Sequence, residues 1–365
     1  MVIEGEDVVC QSLKAVASPA HLTEPHALQS CWDLQLSGVG ADALRVALEC
    51  DLFAHLGQFV SADKIAEELV LDHANTGYLL EILWSMNLLE CEGGAQRCYR
   101  NLPVAAHYLS TDSDHYCGDA LLFRHHILRQ FGMQLEGLVR KGSGMTSGPD
   151  ADTIQQGWAM AARSQIEQEQ RAVTAEVACK LFTELPEFPH AKRLLDLGGG
   201  PGLVAIALAQ SQPALTGTVF EYDAVAATAA ERIAEAGLSH RLQAVGGDLN
   251  KDDFGADYDL IWCSSVLHFV QDIPAVLDRL YQAMRPGGVL VCCHAEVHAT
   301  APQARRILQY YLSLRMQGRH VLPEGELAHS LSRAGFVDVK QWDDVRFPVT
   351  PVTALVAHKA RGESR

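Results

Sequence analysis

Two hydrophobic patterns divide the chain. In the second half, short apolar runs alternate with stretches of helical composition. Arg193-Leu194-Leu195-Asp196-Leu197 reads as a strand buried on both faces, the setting in which a parallel strand loses its polar–apolar alternation. It breaks into Gly198-Gly199-Gly200-Pro201-Gly202, and Leu203 to Ala209 behind that turn suits a helix packed on the sheet. The unit then repeats. Thr218-Val219-Phe220-Glu221 is predicted as a second strand, Gly247-Asp248-Leu249 closes a third, Tyr258 to Cys263 forms a fourth, and Cys292 and Cys293 lie in a further buried one. Phe336 to Lys340 and Thr353 to His358 read as two final strands. Strand and helix in regular succession predict an α/β fold.

The first half is helical in period. Ala43-Leu44, Val46-Ala47-Leu48, Leu52-Phe53 and Leu56 predict an amphipathic stretch from Ala43 to Leu56. Ser61 can cap a helix over Ala62 to Leu69, and another is expected from Asn75 through Met86. Leu88 to Cys91 and Arg97 to Arg100 flank Glu92-Gly93-Gly94-Ala95, a hairpin signal with glycine at the turn. Three helices and a wing predict a winged helix. Lys141 to Asp150 reads as a hinge or surface loop by its glycine and serine content, and long helical segments follow through Leu185. The expected organisation is a tail over residues 1–20, a winged-helix domain over 21–150 and a second domain over 151–365. That division respects the limit of about 250 residues on a single core.

Charge removes one class of partner. The formal net charge is −16, and residues 1–150 carry 9 Lys/Arg against 20 Asp/Glu. No Lys or Arg stands between 73 and 96, where a DNA-reading helix and wing would need them, so nucleic acid is not expected as a partner. The ten cysteines show no C-x-x-C pair and no ladder of spacings, which suits free thiols in a cytoplasm. The N-terminus lacks the basic and apolar regions of a signal peptide, and no apolar run is long enough to span a bilayer.

The glycine turn carries the chemistry. Glycines at 198, 200 and 202 remove β-carbons that would hold a nucleoside away from the main chain. A dinucleotide fingerprint spaces its glycines G-x-G-x-x-G, whereas these alternate as G-x-G-x-G behind Asp196. Glu221 ends the second strand, where a carboxylate can accept both hydroxyls of a ribose. The three motifs together resemble class I S-adenosylmethionine-dependent methyltransferases, whose pattern places an acidic residue and an apolar neighbour, here Asp248 and Leu249, beside the adenine. With the acidic winged helix in front, nearly the whole chain beyond the tail resembles the caffeic acid and hydroxyindole O-methyltransferase family.

That resemblance implies a Rossmann-like seven-stranded sheet, a winged-helix module that makes a homodimer, and S-adenosylmethionine as cofactor. Asp196, Gly198, Gly199, Gly200, Glu221, Asp248, Leu249, Ser164 and Ser264 would hold the cofactor, with Ser164 at its carboxylate. Trp158, Met160, His294 and Arg319 would face the substrate. His268 falls on the family's histidine in V-L-H-D-W, the general base that takes the acceptor's proton, and imidazole suits that task with an ordinary pKa of about 6.5. The chain departs from the pattern: Phe269 and Val270 replace the Asp and Trp, and His294 and the Arg319-His320-Val321 segment stand where two acidic residues usually orient the base. Oxygen of a small aromatic or polyketide-like metabolite is the expected acceptor; carbon, nitrogen or sulfur acceptors, or a non-catalytic ligand-binding role, are the alternatives. His294, Glu296 and His298 alternate and would share one face of an extended strand, a metal-like spacing with a ligand short, and no metal is expected.

Overall fold

Ser61 and Asp72 start two of the N-terminal helices by the same device. Ser61 Oγ accepts the Lys64 amide at 3.4 Å to open α2 (Ala62–Leu69), and Asp72 accepts the Asn75 amide at 2.9 Å to open α3 (His73–Ser85). They follow α1 (Gln29–Glu49) and a 3-10 turn, Leu52–His55. The expected continuous stretch from Ala43 to Leu56 is therefore interrupted. Asp51 adopts φ 53°, which ends α1 and turns Leu52, Phe53 and Leu56 inward from a separate turn. Strands β1 (Val60–Ser61), β2 (Leu89–Glu92) and β3 (Cys98–Asn101) form an antiparallel sheet ordered β1-β3-β2, the wing. Ala47, Leu48, Ile65, Leu80, Leu83, Leu89 and Tyr99 close the core of this unit.

The computed structural model describes residues 24–94, 96–142 and 151–361, so the expected tail over 1–20 and residues 143–150 of the expected loop lie outside it. The chain divides into two units, 1–106 and 107–365. That division precedes the expected boundary at 150/151, and α4 (Gly118–Lys141) is the reason. Its Ala120 amide is accepted by the Gln168 side chain at 2.9 Å, and Arg124 forms two 2.8 Å bonds to Glu169, so the helix packs with the segment that follows it.

In the second unit α5 (Ala151–Ala161) leads through two π-helical turns, Ala162–Ile166 and Gln170–Thr174, into α6 (Ala175–Thr183). The seven-stranded sheet then forms from β4 (Arg193–Leu197), β5 (Thr216–Glu221), β6 (Leu242–Gly246), β7 (Tyr258–Ser264), β8 (Met284–His294), β9 (Val337–Val345) and β10 (Val352–His358). Its order is β6-β5-β4-β7-β8-β10-β9, parallel throughout except for β10, which is antiparallel to both neighbours. Side chains leave each strand alternately into two cores. Leu194, Val219, Trp262 and Val291 enter one, and Leu195, Leu197, Phe220 and Ile261 the other. Helices α7 (Leu203–Ser211), α8 (Asp223–Glu235) and α9 (Ile273–Ala283) follow β4, β5 and β7. Because β5 lies on one side of β4 and β7 on the other, a crevice opens at their carboxyl ends.

Candidate active site

The crevice is floored by the glycine loop. Gly198 and Gly200 have φ of 65° and 57°, in the left-handed region that favours glycine. Gly199 is constrained by space instead, since a β-carbon there would lie 2.6 Å from Asp196 Cγ. Asp196 thus sits directly beneath the loop, fully buried, with Oδ2 accepting the Ala205 amide at 3.3 Å and Oδ1 without a partner. Burial lifts its carboxyl to about 7, opposed by the Ala205 amide and reinforced by the charge of Glu221. Glu221 accepts the Gly200 and Tyr222 amides at 3.1 and 2.9 Å, and burial raises its carboxyl above the ordinary range against those bonds.

Asp248 lies just past the end of β6. Its Oδ1 accepts the Asn250 amide and side chain, both at 2.9 Å, and Lys251 stands 3.5 Å from Oδ2; together they outweigh partial burial and hold the carboxyl below its ordinary value. Leu249 is buried beside it, and Ser264 ends β7 half-buried. Ser164 is turned back on its own helix, donating to the Met160 carbonyl at 2.9 Å. A residue with no motif to announce it completes this side: Gln170, buried, donates to the Gly199 carbonyl at 2.9 Å and accepts the Leu203 amide at 3.1 Å. A cradle that β-carbons would fill, an orphaned buried oxygen beneath it and a carboxylate beside it fit a nucleoside-bearing methyl donor.

The turn after β7 carries His268. Its Nδ1 lies 2.7 Å from the His320 carbonyl, which fixes the proton on Nδ1, and its Nε2 has no partner. Burial lowers the imidazole to about 4, opposed by the bond to the His320 carbonyl. The rings of Tyr311 and His294 stand 4.7 and 5.4 Å away, and Phe269 meets Trp158 edge-on at 4.8 Å. Arg319 donates to the Phe269 carbonyl at 3.2 Å, so Arg319 and His320 both strap the His268 turn. No carboxylate bonds to His268 among the described residues; a main-chain carbonyl does that work, which no reading of side chains along the sequence could reveal. Met160 is 65% exposed.

His294 differs from the expected substrate contact. Its Nε2 accepts the Val266 and Leu267 amides at 3.1 and 3.0 Å, and its Nδ1 faces Cys292 Sγ at 3.4 Å, so both ring nitrogens are committed to holding the turn that presents His268. Burial, then His268, keeps it neutral, well below the ordinary histidine value. Cys263, Cys292 and His294 do cluster, but a metal on Nδ1 would demand an imidazolate while Nε2 accepts two amides. The alternating trio of His294, Glu296 and His298 is dispersed. Glu296 accepts the Gly325 and Leu327 amides at the start of the helix Glu326–Arg333, and His298 lies between Glu324 and Asp344.

A glycine loop at a switch point, an acidic residue closing the next strand and a bare histidine nitrogen define an α/β nucleoside-binding transferase domain. Residues 168–341 match the methyltransferase domain family and residues 32–111 the O-methyltransferase dimerisation domain. The chain belongs to the S-adenosylmethionine-dependent methyltransferases that carry this dimerisation domain. It is 28% identical to 3-hydroxy-5-methyl-1-naphthoate 3-O-methyltransferase of Streptomyces sahachiroi over 62% of this chain and 64% of that one. It is 28% identical to L-tyrosine C(3)-methyltransferase of Streptomyces lavendulae over 51% and 52% of the two chains, so the match spans half to just under two thirds of these relatives. Human N-acetylserotonin methyltransferase, solved with S-adenosylmethionine, shares the fold at TM-score 0.74 and 22% identity, over 93% of this chain and 99% of that one.

Proposed function

We propose that this protein methylates a hydroxyl of a small aromatic or polyketide-like metabolite, with His268 as the general base. One observation carries the reading: the Nδ1–His320 carbonyl bond leaves the lone pair of Nε2 free in an apolar setting. When bound, S-adenosylmethionine supplies a methyl group already activated on a sulfonium. Asp196, the loop from Gly198 to Gly200, Glu221, Asp248, Leu249 and Ser264 form the binding surface for it in this reading, with Ser164 swinging from its helix. His268 Nε2 takes the acceptor's proton as the oxygen becomes a nucleophile. Trp158, Phe269 and Tyr311 favour a flat acceptor and keep water from the exchange, and Arg319 fixes the turn from outside.

The absence of a carboxylate on His268 among the described residues favours one second reading, an acceptor such as a ring carbon beside an ionised oxygen that needs less help from a base. The experiment is transfer of labelled methyl from S-adenosylmethionine to hydroxynaphthoic acids and to a metabolite extract, with the product's bond located by NMR. An O-methyl product supports the proposal; a C-methyl product promotes the second reading, and no transfer to any acceptor sinks both. The reading includes a homodimer built on residues 32–111, supported by Trp32, Leu34, Leu36 and Val39 exposed on α1. A reducing cytoplasm is the setting that suits its nine described free cysteines. No described helix is long and apolar enough to cross a membrane.

A further inference from the structure

Gln170 joins two parts of the unit that chain order keeps apart. Its side chain, 8% exposed, bridges the Gly199 carbonyl and the amide of Leu203, the first residue of α7. That amide has no intrahelical acceptor, so Gln170 serves as a cap supplied from another element. Gln170 also opens the second π-helical turn, and Ile166, from the first, lies close enough to Gly200 that a β-carbon there would stand 3.1 Å from its Cγ2. Single π turns inside α-helices recur at functional sites.

The residues between these turns reach the opposite way. Gln168 accepts the Ala120 amide, Glu169 holds Arg124 through two 2.8 Å bonds, and Arg124 bonds the hydroxyl of Tyr310. Tyr311, the next residue, packs its ring on His268 at 4.7 Å. A short path of packed and hydrogen-bonded groups thus runs from the glycine loop through Gln170 and the Glu169–Arg124 pair to the wall beside His268.

We propose that Gln170 is a positioning residue that couples occupancy of the glycine loop to the acceptor side of the pocket, so that the methyl donor, by fixing the Gly199 carbonyl, also fixes α4 and Tyr311. The proposal uses the donor site and is independent of which atom is methylated. Its physical basis is that a ligand on the loop restrains the one acceptor that Gln170 Nε2 holds, and the π turns transmit that restraint as a discrete choice of packing.

The test is hydrogen–deuterium exchange of the full chain with and without saturating S-adenosylhomocysteine. In the wild type, the ligand should slow exchange in the glycine loop and also in residues 118–126. In Gln170→Ala, at concentrations adjusted to saturation, protection of the loop should persist while that of 118–126 falls at least threefold, with ligand affinity reduced about tenfold for two lost hydrogen bonds. Gln170→Glu keeps the acceptor for the Leu203 amide, and at a pH high enough to ionise the buried carboxyl it cannot donate to Gly199; measured at pH 8, with a thermal melt to check that the variant is folded, it should lose the remote protection. Undiminished ligand-dependent protection of 118–126 in Gln170→Glu, or no such protection in the wild type, would overturn the proposal.

Discussion

The proton on His268 decides how the protein should respond to pH. With the imidazole lowered to about 4 by burial, its basic form is complete above roughly pH 5, and turnover should stay level from pH 8 to 5 and fall only toward pH 4. An ordinary histidine would give a fall near pH 6.5, the outcome that sequence alone suggests. His268→Ala should lower turnover by about 10²–10⁴-fold while donor affinity stays near wild type; a loss under threefold at saturating acceptor would remove it from the chemistry. Glu221→Ala should weaken S-adenosylmethionine and S-adenosylhomocysteine together by roughly tenfold to a hundredfold, as expected for about 1.5–3 kcal/mol in hydrogen bonds to a charged group, and calorimetry giving unchanged affinity for both would refute that role. At this scale His268, Glu221 and Asp196 stand out in the sequence as candidates because each sits at a fixed offset from a glycine or a strand end. Gln170 and the His320 carbonyl were not legible. A main-chain oxygen has no residue identity, and Gln170 acts across a distance in sequence that no local spacing encodes.

Among the elements, the glycine loop tolerates least change. A β-carbon at Gly199 meets the Asp196 carboxyl, and Asp196 is closed in by the sheet beneath, so Gly199→Ala must displace a buried carboxyl or the loop itself. A cost of about 1–3 kcal/mol in stability is typical of such overpacking. Chemical denaturation should report it as a lower midpoint with an unchanged slope, and an unchanged midpoint would mean the loop shifts freely. Strand and helix types were readable because buried parallel strands and capped helices each leave a periodic trace. Boundaries were less so. Asp51 breaks α1 through its own backbone conformation, and Leu52, Phe53 and Leu56 remain apolar at spacings that also suit a continuing helix. The π turns escape for a similar reason, since one extra residue per turn disturbs the apolar rhythm too little to be seen. Helix α4 joins the second unit through Arg124 and Ala120, contacts with Glu169 and Gln168 that the glycine-rich stretch after Lys141 hides.

At the level of the whole molecule, the proposed homodimer should appear in light scattering at micromolar concentration as twice the 39.8 kDa chain mass, and a fully active monomer would exclude it. The net charge of −16 makes the protein a mild attractor for a cationic cofactor, but the buried carboxyl of Asp196 makes the charge itself adjustable. With a value raised to about 7, Asp196 can hold a proton near neutral pH. A cation seated on the loop above it favours the ionised form, so binding should expel part of a proton into solvent. Titrating S-adenosylmethionine in two buffers of different ionisation enthalpy should therefore give different apparent heats, and affinity should tighten as pH rises from 6 to 8. S-adenosylhomocysteine, lacking the sulfonium charge, should release less. Heats independent of the buffer would mean that Asp196 keeps its proton, and that its place beneath the loop makes it a prop for the glycines with no part in balancing the donor's charge.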